Sequence, residues 1–184
     1  MDVASAPKVR ELRELANLSS GDFESAVGPF VLVQRPPDPL LQKIAMHTMG
    51  ARTVGMAHRN RMAEQLLEMT ARFEHLQVIS PRPTRRFQEL VVGRHPDSDV
   101  PILEPSVSGR HALLIWRGED EKTFLRDLGS TNGTFVNASD IGKREVVLAD
   151  TDSLCFGDAQ FLFLMAETFQ AHLITAVRRE LGVS

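Results

Sequence analysis

Three polar, turn-rich segments in the second half of the chain combine residue types that can hold a phosphate group. In chain order they are Gly93-Arg94, Ser108-Gly109-Arg110-His111 and Ser130-Thr131-Asn132-Gly133. A phosphate monoester dianion is bound by several donors on a rigid frame, and cationic donors form the shorter, stronger hydrogen bonds. The guanidinium, hydroxyl and backbone N–H groups of these segments are donors of that kind. The sequence therefore predicts an anion-binding site built from three loops.

These segments belong to one longer pattern that runs from Gly93 to Gly157. Its islands are Val92-Gly93-Arg94-His95-Pro96-Asp97-Ser98-Asp99, Pro105-Ser106-Val107-Ser108-Gly109-Arg110-His111-Ala112, Asp127 to Asn137, and Leu154-Cys155-Phe156-Gly157. Four islands in this order are far more specific than any one of them. The pattern resembles that of forkhead-associated (FHA) domains, a family of phosphothreonine-peptide readers, and it covers somewhat under half of the chain. The resemblance implies a mainly β fold, an FHA-type β-sandwich of about eleven strands.

The resemblance also implies a role for each candidate residue. Arg94, Ser108 and Thr131 are implied to contact the phosphate, together with backbone N–H groups near Ser108. Asn132 is implied to contact the peptide backbone beyond the phosphothreonine. The whole implied phosphopeptide-binding set is Arg94, Ser108, Gly109, Arg110, Thr131 and Asn132. The residues implied to support the site are Gly93, His111, Ser130 and Gly133.

Gly109 is the main departure from the family pattern, because members of the family often carry Lys or Arg at this position. Gly109 keeps a backbone N–H, and Arg110 follows it. Side chains alternate between faces in extended chain, so Arg110 need not point at the phosphate. We therefore expect weaker phosphate binding than in family members with a basic residue there.

Two features of the pattern also have explanations that need no ligand. Asn-Gly between strands is a common hairpin signal, so Asn132-Gly133 could be a turn and nothing more. Arg94 could instead form a surface ion pair with Asp97 or Asp99. The joint presence of Arg94, Ser108 and Asn132 favours the phosphate site.

Two proline-rich joints, residues 35–39 and 80–83, divide the chain. Before the first, helical spacing of apolar residues predicts a short helix from Val9 to Leu18, followed by a break at Ser19–Asp22 and a β-prone run at Phe30–Val33. Between the joints, the spacing predicts two helices within residues 41–73, and from Leu76 the pattern changes to short strands. The tail, residues 167–181, reads as a helix.

These patterns predict an N-terminal helical extension over 1–75, an FHA β-sandwich over 76–166 and a C-terminal helix over 167–184. The front edge of the sandwich allows two arrangements. The favoured one takes Leu76–Ile79 as the first strand, with Phe30–Val33 docked against the domain. In the alternative, Phe30–Val33 fills that edge and the helical pair is inserted between strands.

Composition narrows the function classes. The chain has 184 residues, 42% of them hydrophobic and 24% charged, as in soluble globular proteins. There is no run of about 18 apolar residues and no secretory signal, so we expect a cytoplasmic protein. The net charge of −3 and the absence of a basic half argue against nucleic-acid partners, and the lack of a long apolar run argues against a membrane. The lone Cys155 cannot form an internal disulfide.

Enzyme and metal chemistry are disfavoured by the sequence. Gly142-Lys143 fails the Walker pattern, because position 137 is Asn and position 144 is Arg. Asp97-Ser98-Asp99 lacks the later Gly and Glu of a calcium loop, and the six histidines do not have zinc spacing. We therefore expect no catalysis, no metal and no cofactor.

The predicted function is a phosphothreonine-peptide-binding module that acts as a signalling adaptor or scaffold downstream of a Ser/Thr kinase. Its expected partners are phosphothreonine-containing proteins and that upstream kinase. The alternative is a phosphate-independent interaction scaffold that uses the sandwich and the helical extension for assembly. That extension contains a methionine-rich apolar set, which also offers a route to oligomerisation: Met46, Met49, Met56, Met62 and Met69.

Overall fold

Phe30–Arg35 and Ala159–Met165 are strands whose apolar residues are buried on both faces, because one sheet of the fold lies between the second sheet and the helices. The computed structural model describes residues 6–35, 76–83 and 87–180. The predicted helices within residues 41–73 lie outside these ranges. The described strands form two sheets of a sandwich, which confirms the predicted FHA-type fold with about eleven strands.

One sheet has six strands in the order β2-β1-β11-β10-β7-β8, and the other has five in the order β4-β3-β5-β6-β9. All described pairings are antiparallel except that of β3 with β4. The strands are β1 Phe30–Arg35, β2 Val78–Ile79, β3 Phe87–Gly93, β4 Val100–Pro101, β5 Ala112–Arg117, β6 Lys122–Asp127, β7 Thr134–Val136, β8 Ser139–Asp140, β9 Glu145–Val147, β10 Ser153–Phe156 and β11 Ala159–Met165.

Two apolar clusters hold the three layers together. Phe30 and Leu32 of β1 point into the core between the sheets, where they meet Phe161 and Phe163 of β11. The alternate residues of both strands point the other way, into a second cluster beneath the helices. Each large apolar side chain buried in these clusters stabilises the fold by about 1.5–3 kcal/mol. The loops at the end of the sandwich therefore extend from a rigid base.

The position of β1 corrects the favoured arrangement of the front edge. Phe30–Arg35 is an inner strand, paired with β11 on one side (Phe30 opposite Met165) and with β2 on the other. The sandwich therefore begins with β1, as in the alternative arrangement, but the edge of the sheet is occupied by β2 and not by Phe30–Val33. The four residues Phe30–Val33 are all buried, as a strand covered on both faces requires.

Three helices cover the outer face of the six-stranded sheet. A 3₁₀ helix spans Val9–Asn17, and α1 (Ser20–Val27) follows it directly. The predicted break at Ser19–Asp22 is confirmed only at its start, because the backbone is extended at Leu18 and Ser19 and α1 already begins at Ser20. Ser19 caps α1, since its side-chain oxygen accepts a hydrogen bond from the Asp22 N–H at 3.2 Å. The predicted C-terminal helix is confirmed as α2, Ala166–Glu180.

Candidate functional site

Three loops at one end of the sandwich contain nine of the ten residues that the sequence singles out, and the tenth, Gly93, ends the strand before the first loop. They connect β3 to β4, β4 to β5, and β6 to β7. Hydrogen bonds between the loops join them into one surface. The site residues therefore depend on loop-to-loop contacts as well as on the strands from which the loops extend.

Arg94 is the cationic residue of the first loop. Its backbone N–H donates to the Ser108 carbonyl at 2.9 Å, and its Nε–H donates to the Val107 carbonyl at 3.0 Å. Arg94 forms no ion pair with either of the two aspartates proposed from the sequence. Asp97 Oδ2 lies 3.6 Å from His95 Nδ1, and the Asp99 carboxylate accepts the Val91 N–H at 2.8 Å. Within residues 6–35, 76–83 and 87–180, no acceptor engages its terminal nitrogens, so the exposed end of the guanidinium is open to a ligand.

Gly93 and Gly109 have opposite surroundings. A Cβ on Gly93 would lie 2.2 Å from the Gly109 carbonyl oxygen, so only glycine allows the first two loops to approach this closely. A Cβ on Gly109 would meet nothing within 4 Å, and its φ is outside the left-handed region. Position 109 can therefore accept a side chain without strain, whereas position 93 cannot.

Ser108 and Thr131 bring two hydroxyl groups together across the second and third loops. The Thr131 N–H donates to Ser108 Oγ at 3.0 Å, and the two hydroxyl oxygens are 3.5 Å apart. The neighbouring N–H groups of Gly109 and Arg110 have no acceptor among the described residues. Arg110 is exposed. These hydroxyl and N–H groups lie next to the loop that carries Arg94.

His111 fixes the second loop to the third. It is fully buried, and its Nδ1 accepts the Ser108 N–H at 3.0 Å, so the ring proton is on Nε2, which donates to the Gly133 carbonyl at 3.0 Å. Burial lowers the pKa of His111, against the opposing effects of the Gly133 hydrogen bond and the Asp127 charge. The ring is therefore neutral at pH 7, and both nitrogens are engaged by the backbone.

Asn132 lies at the tip of the third loop, on the exposed side. Its Nδ2 donates to the Ser106 carbonyl at 2.7 Å, which leaves Oδ1 as an acceptor without a partner in the described part of the chain. The following Gly133 has φ +79°, a conformation that favours glycine. Its carbonyl also accepts the Gly157 N–H at 3.1 Å, which ties the loop to the β10–β11 turn.

Asp127 holds the third loop together, although the sequence analysis assigned it no role. Its carboxylate accepts the N–H groups of Gly129 and Ser130, at 2.7 and 2.9 Å, and the hydroxyls of Ser130 and Thr134, at 2.6 and 2.5 Å. Burial raises its pKa, but the bonds from Ser130, Thr134 and Gly129 outweigh that effect and the pKa is lowered. An Asp two residues before a Gly is a signal for a side-chain-closed turn that could have identified it.

The arrangement is suited to binding and carries no nucleophile-base pair. Ser108 Oγ contacts Thr131, and the neutral His111 uses its ring nitrogens for the backbone, so the hydroxyl has no general base beside it. The described ranges contain no group of three His, Cys, Asp or Glu side chains suited to a metal. None of the described helices is long and apolar enough to cross a membrane.

Comparison with known proteins gives a consistent family match. A model of the FHA domain matches residues 90–157. The glycogen accumulation regulator GarA of Mycobacterium tuberculosis is 40% identical over 72 residues, which are 39% of this chain and 42% of that protein. The oxoglutarate dehydrogenase inhibitor of Corynebacterium jeikeium is 39% identical over 72 residues, 39% of this chain and 47% of that protein. The match thus spans less than half the length of these relatives.

Among solved structures, the FhaA FHA domain complexed with the intracellular domain of Rv3910 is 32% identical, covers 44% of this chain and 85% of that chain, and has a TM-score of 0.39. The assignment itself comes from the curated relatives and from the family model, whose matched residues 90–157 include all three loops. The chain is therefore an FHA domain protein, with the family's domain at residues 90–157.

Proposed function

We propose that this protein binds phosphothreonine-containing peptides at the three-loop end of the sandwich and performs no chemistry on them. FHA domains bind phosphothreonine peptides. The observation that carries the proposal is the placement of Arg94, whose Nε is held by Val107 while its terminal nitrogens are open to solvent. A guanidinium oriented in this way loses little conformational freedom when it meets a phosphate dianion.

In the proposed complex the phosphate lies between Arg94 and the hydroxyl pair of Ser108 and Thr131. The N–H groups of Gly109 and Arg110 add neutral donors, because no described residue accepts from them. Asn132 Oδ1 accepts a backbone N–H of the peptide, since Nδ2 is already bound to Ser106. This division predicts that the phosphate supplies affinity and that Asn132 sets the register of the peptide.

We further propose that the protein acts as an adaptor or scaffold that couples a phosphorylated partner to other proteins. A reader of phosphothreonine requires a Ser/Thr kinase to create its ligand. The alternative, a scaffold that ignores phosphate, does not use the open guanidinium or the paired hydroxyls. The two functions differ in one measurable property, which is dependence on the phosphate.

The test of this function first selects the best-binding member of an oriented phosphothreonine peptide library. Its affinity is then measured by calorimetric titration. We expect at least tenfold weaker binding of the same peptide with unmodified threonine, because charge-assisted hydrogen bonds contribute about 1.5–3 kcal/mol each. The matched phosphoserine peptide serves as a second comparison. Equal affinity for the phosphorylated and unmodified peptides would favour the phosphate-independent scaffold.

Gly109→Arg is expected to strengthen phosphopeptide binding by about twofold to fivefold, as an exposed ionic contact of modest strength should. The open space around a Cβ at this position means that the change should not reduce stability. Gly109→Ala is the matched control, since it restricts the backbone in the same way without adding charge. Unchanged affinity of Gly109→Arg, with unchanged thermal stability, would show that a basic residue here does not reach the phosphate.

A further inference from the structure

Ser106 lies where the second loop, the third loop and the β10–β11 turn meet. Its carbonyl accepts Asn132 Nδ2 at 2.7 Å, and its Oγ accepts the Asp158 N–H at 2.7 Å. Its hydroxyl donates to Glu104 Oε2, which also accepts the Ser106 N–H at 3.0 Å. Every polar group of this residue is therefore committed to a neighbouring part of the chain.

The packing around Ser106 is as restricted as its hydrogen bonding. A Cβ on Gly157 would lie 2.6 Å from Ser106 Oγ and 2.7 Å from its carbonyl oxygen, so the turn and the loop are in direct backbone contact. The same glycine donates its N–H to the Gly133 carbonyl at 3.1 Å. The β10–β11 turn thus holds both Ser106 and the residue after Asn132.

We propose that Ser106 is a positioning residue for Asn132: its hydroxyl fixes the loop to Asp158, and its carbonyl then holds the Asn132 amide with Oδ1 facing outward. Ser106 does not itself contact the phosphopeptide. The inference rests on the proposed function in one respect, because the outward Oδ1 has a role only if a peptide backbone N–H binds it. The positioning itself is a property of the free protein.

Loss of the hydroxyl should therefore act on Asn132 more than on Arg94. Without Oγ, the Asp158 N–H loses its acceptor, and the Glu104 carboxylate keeps only the Ser106 N–H as a donor from this residue. Arg94 keeps its own anchor, the carbonyl of the fully buried Val107, which is 1% exposed. The contribution of Ser106 to peptide binding should then pass through Asn132, and the two residues should be coupled energetically.

The experiment has two arms, both with Ser106→Ala. In the free protein, hydrogen exchange of the Asn132 side-chain amide, followed by NMR, should become roughly fivefold faster, as the loss of about 1 kcal/mol of hydrogen bonding implies. Phosphopeptide affinity should fall roughly threefold to tenfold in the wild-type background, and by less than twofold in an Asn132→Ala background.

Ser139→Ala, an exposed serine on β8, is the matched control and should change neither quantity. Unchanged exchange of the Asn132 amide in Ser106→Ala would overturn the inference, as would the same fold-loss of affinity in both backgrounds. If wild-type protein binds no phosphopeptide, the proposed function fails, and the amide exchange of the free protein then decides the inference alone.

Discussion

Arg94→Ala should weaken phosphothreonine-peptide binding at least tenfold while leaving the fold intact. The side chain supplies the charged donors of the site, and each charge-assisted bond that it makes to the phosphate contributes about 1.5–3 kcal/mol net. Its removal costs the free protein only the bond from Nε to the Val107 carbonyl. Calorimetric affinity, with thermal unfolding measured on the same samples, separates the two effects.

Two variants sharpen this test. Arg94→Lys keeps the positive charge but has no Nε–H group to hold the side chain over Val107, so we expect intermediate affinity. Arg178→Ala removes the same charge from an exposed position on α2, remote in sequence from the three loops, and should have less than a twofold effect on affinity. Equal affinity of Arg94→Ala and wild type would show that this arginine does not contribute to phosphopeptide binding.

The loops of the site could be predicted from sequence because their residues are determined locally. Gly93, Gly133 and the polar residues beside them stand at turns, where a short string of residue types limits the backbone conformation. The resemblance, which depends on the order of these segments along the chain, then indicated that the three loops form one site. The contacts that join one loop to another, such as Asn132 to Ser106, involve backbone carbonyls, which every residue possesses, and so leave no trace in residue types.

The place of β1 could not be predicted for a related reason. Phe30–Val33 has the apolar run of a buried strand, but a run of this kind carries no information about its pairing partner. Its register with β11 depends on contacts between residues more than 120 positions apart, such as Phe30 with Met165. The sequence separation also made the nearer Leu76–Ile79 the simpler first strand. In the structure both segments contribute strands to the same sheet, with β1 inside and β2 at its edge.

The Asp127 carboxylate organises the third loop, although its position in the sequence does not reveal this role. The residue stands at the end of β6, where an aspartate can be taken for an ordinary solvated charge. Its carboxylate in fact organises the third loop, because it receives the hydroxyl of the fully buried Thr134 as well as the Ser130 side chain. The loop that presents Thr131 and Asn132 therefore depends on the Asp127 carboxylate.

Asp127→Ala is accordingly expected to lower the free energy of unfolding by about 2–4 kcal/mol at pH 7, because four donors lose their acceptor and one of them is fully buried. Urea unfolding followed by fluorescence of Trp116 measures the change. Asp120→Ala, at the exposed β5–β6 turn, is the matched control and should cost less than about 0.5 kcal/mol.

The same pair of proteins should show a specific dependence on pH. The pKa of Asp127 is lowered in the folded protein, so its stabilising effect is fully present above the ordinary Asp pKa of about 3.9 and is lost as pH falls through the lower folded value. The difference in unfolding free energy between wild type and Asp127→Ala should thus be constant from pH 7 to about 5 and shrink below about 4. If the difference in unfolding free energy stayed the same down to pH 3, the negative charge of Asp127 would not be what stabilises the loop. The side chain would then act equally well when protonated.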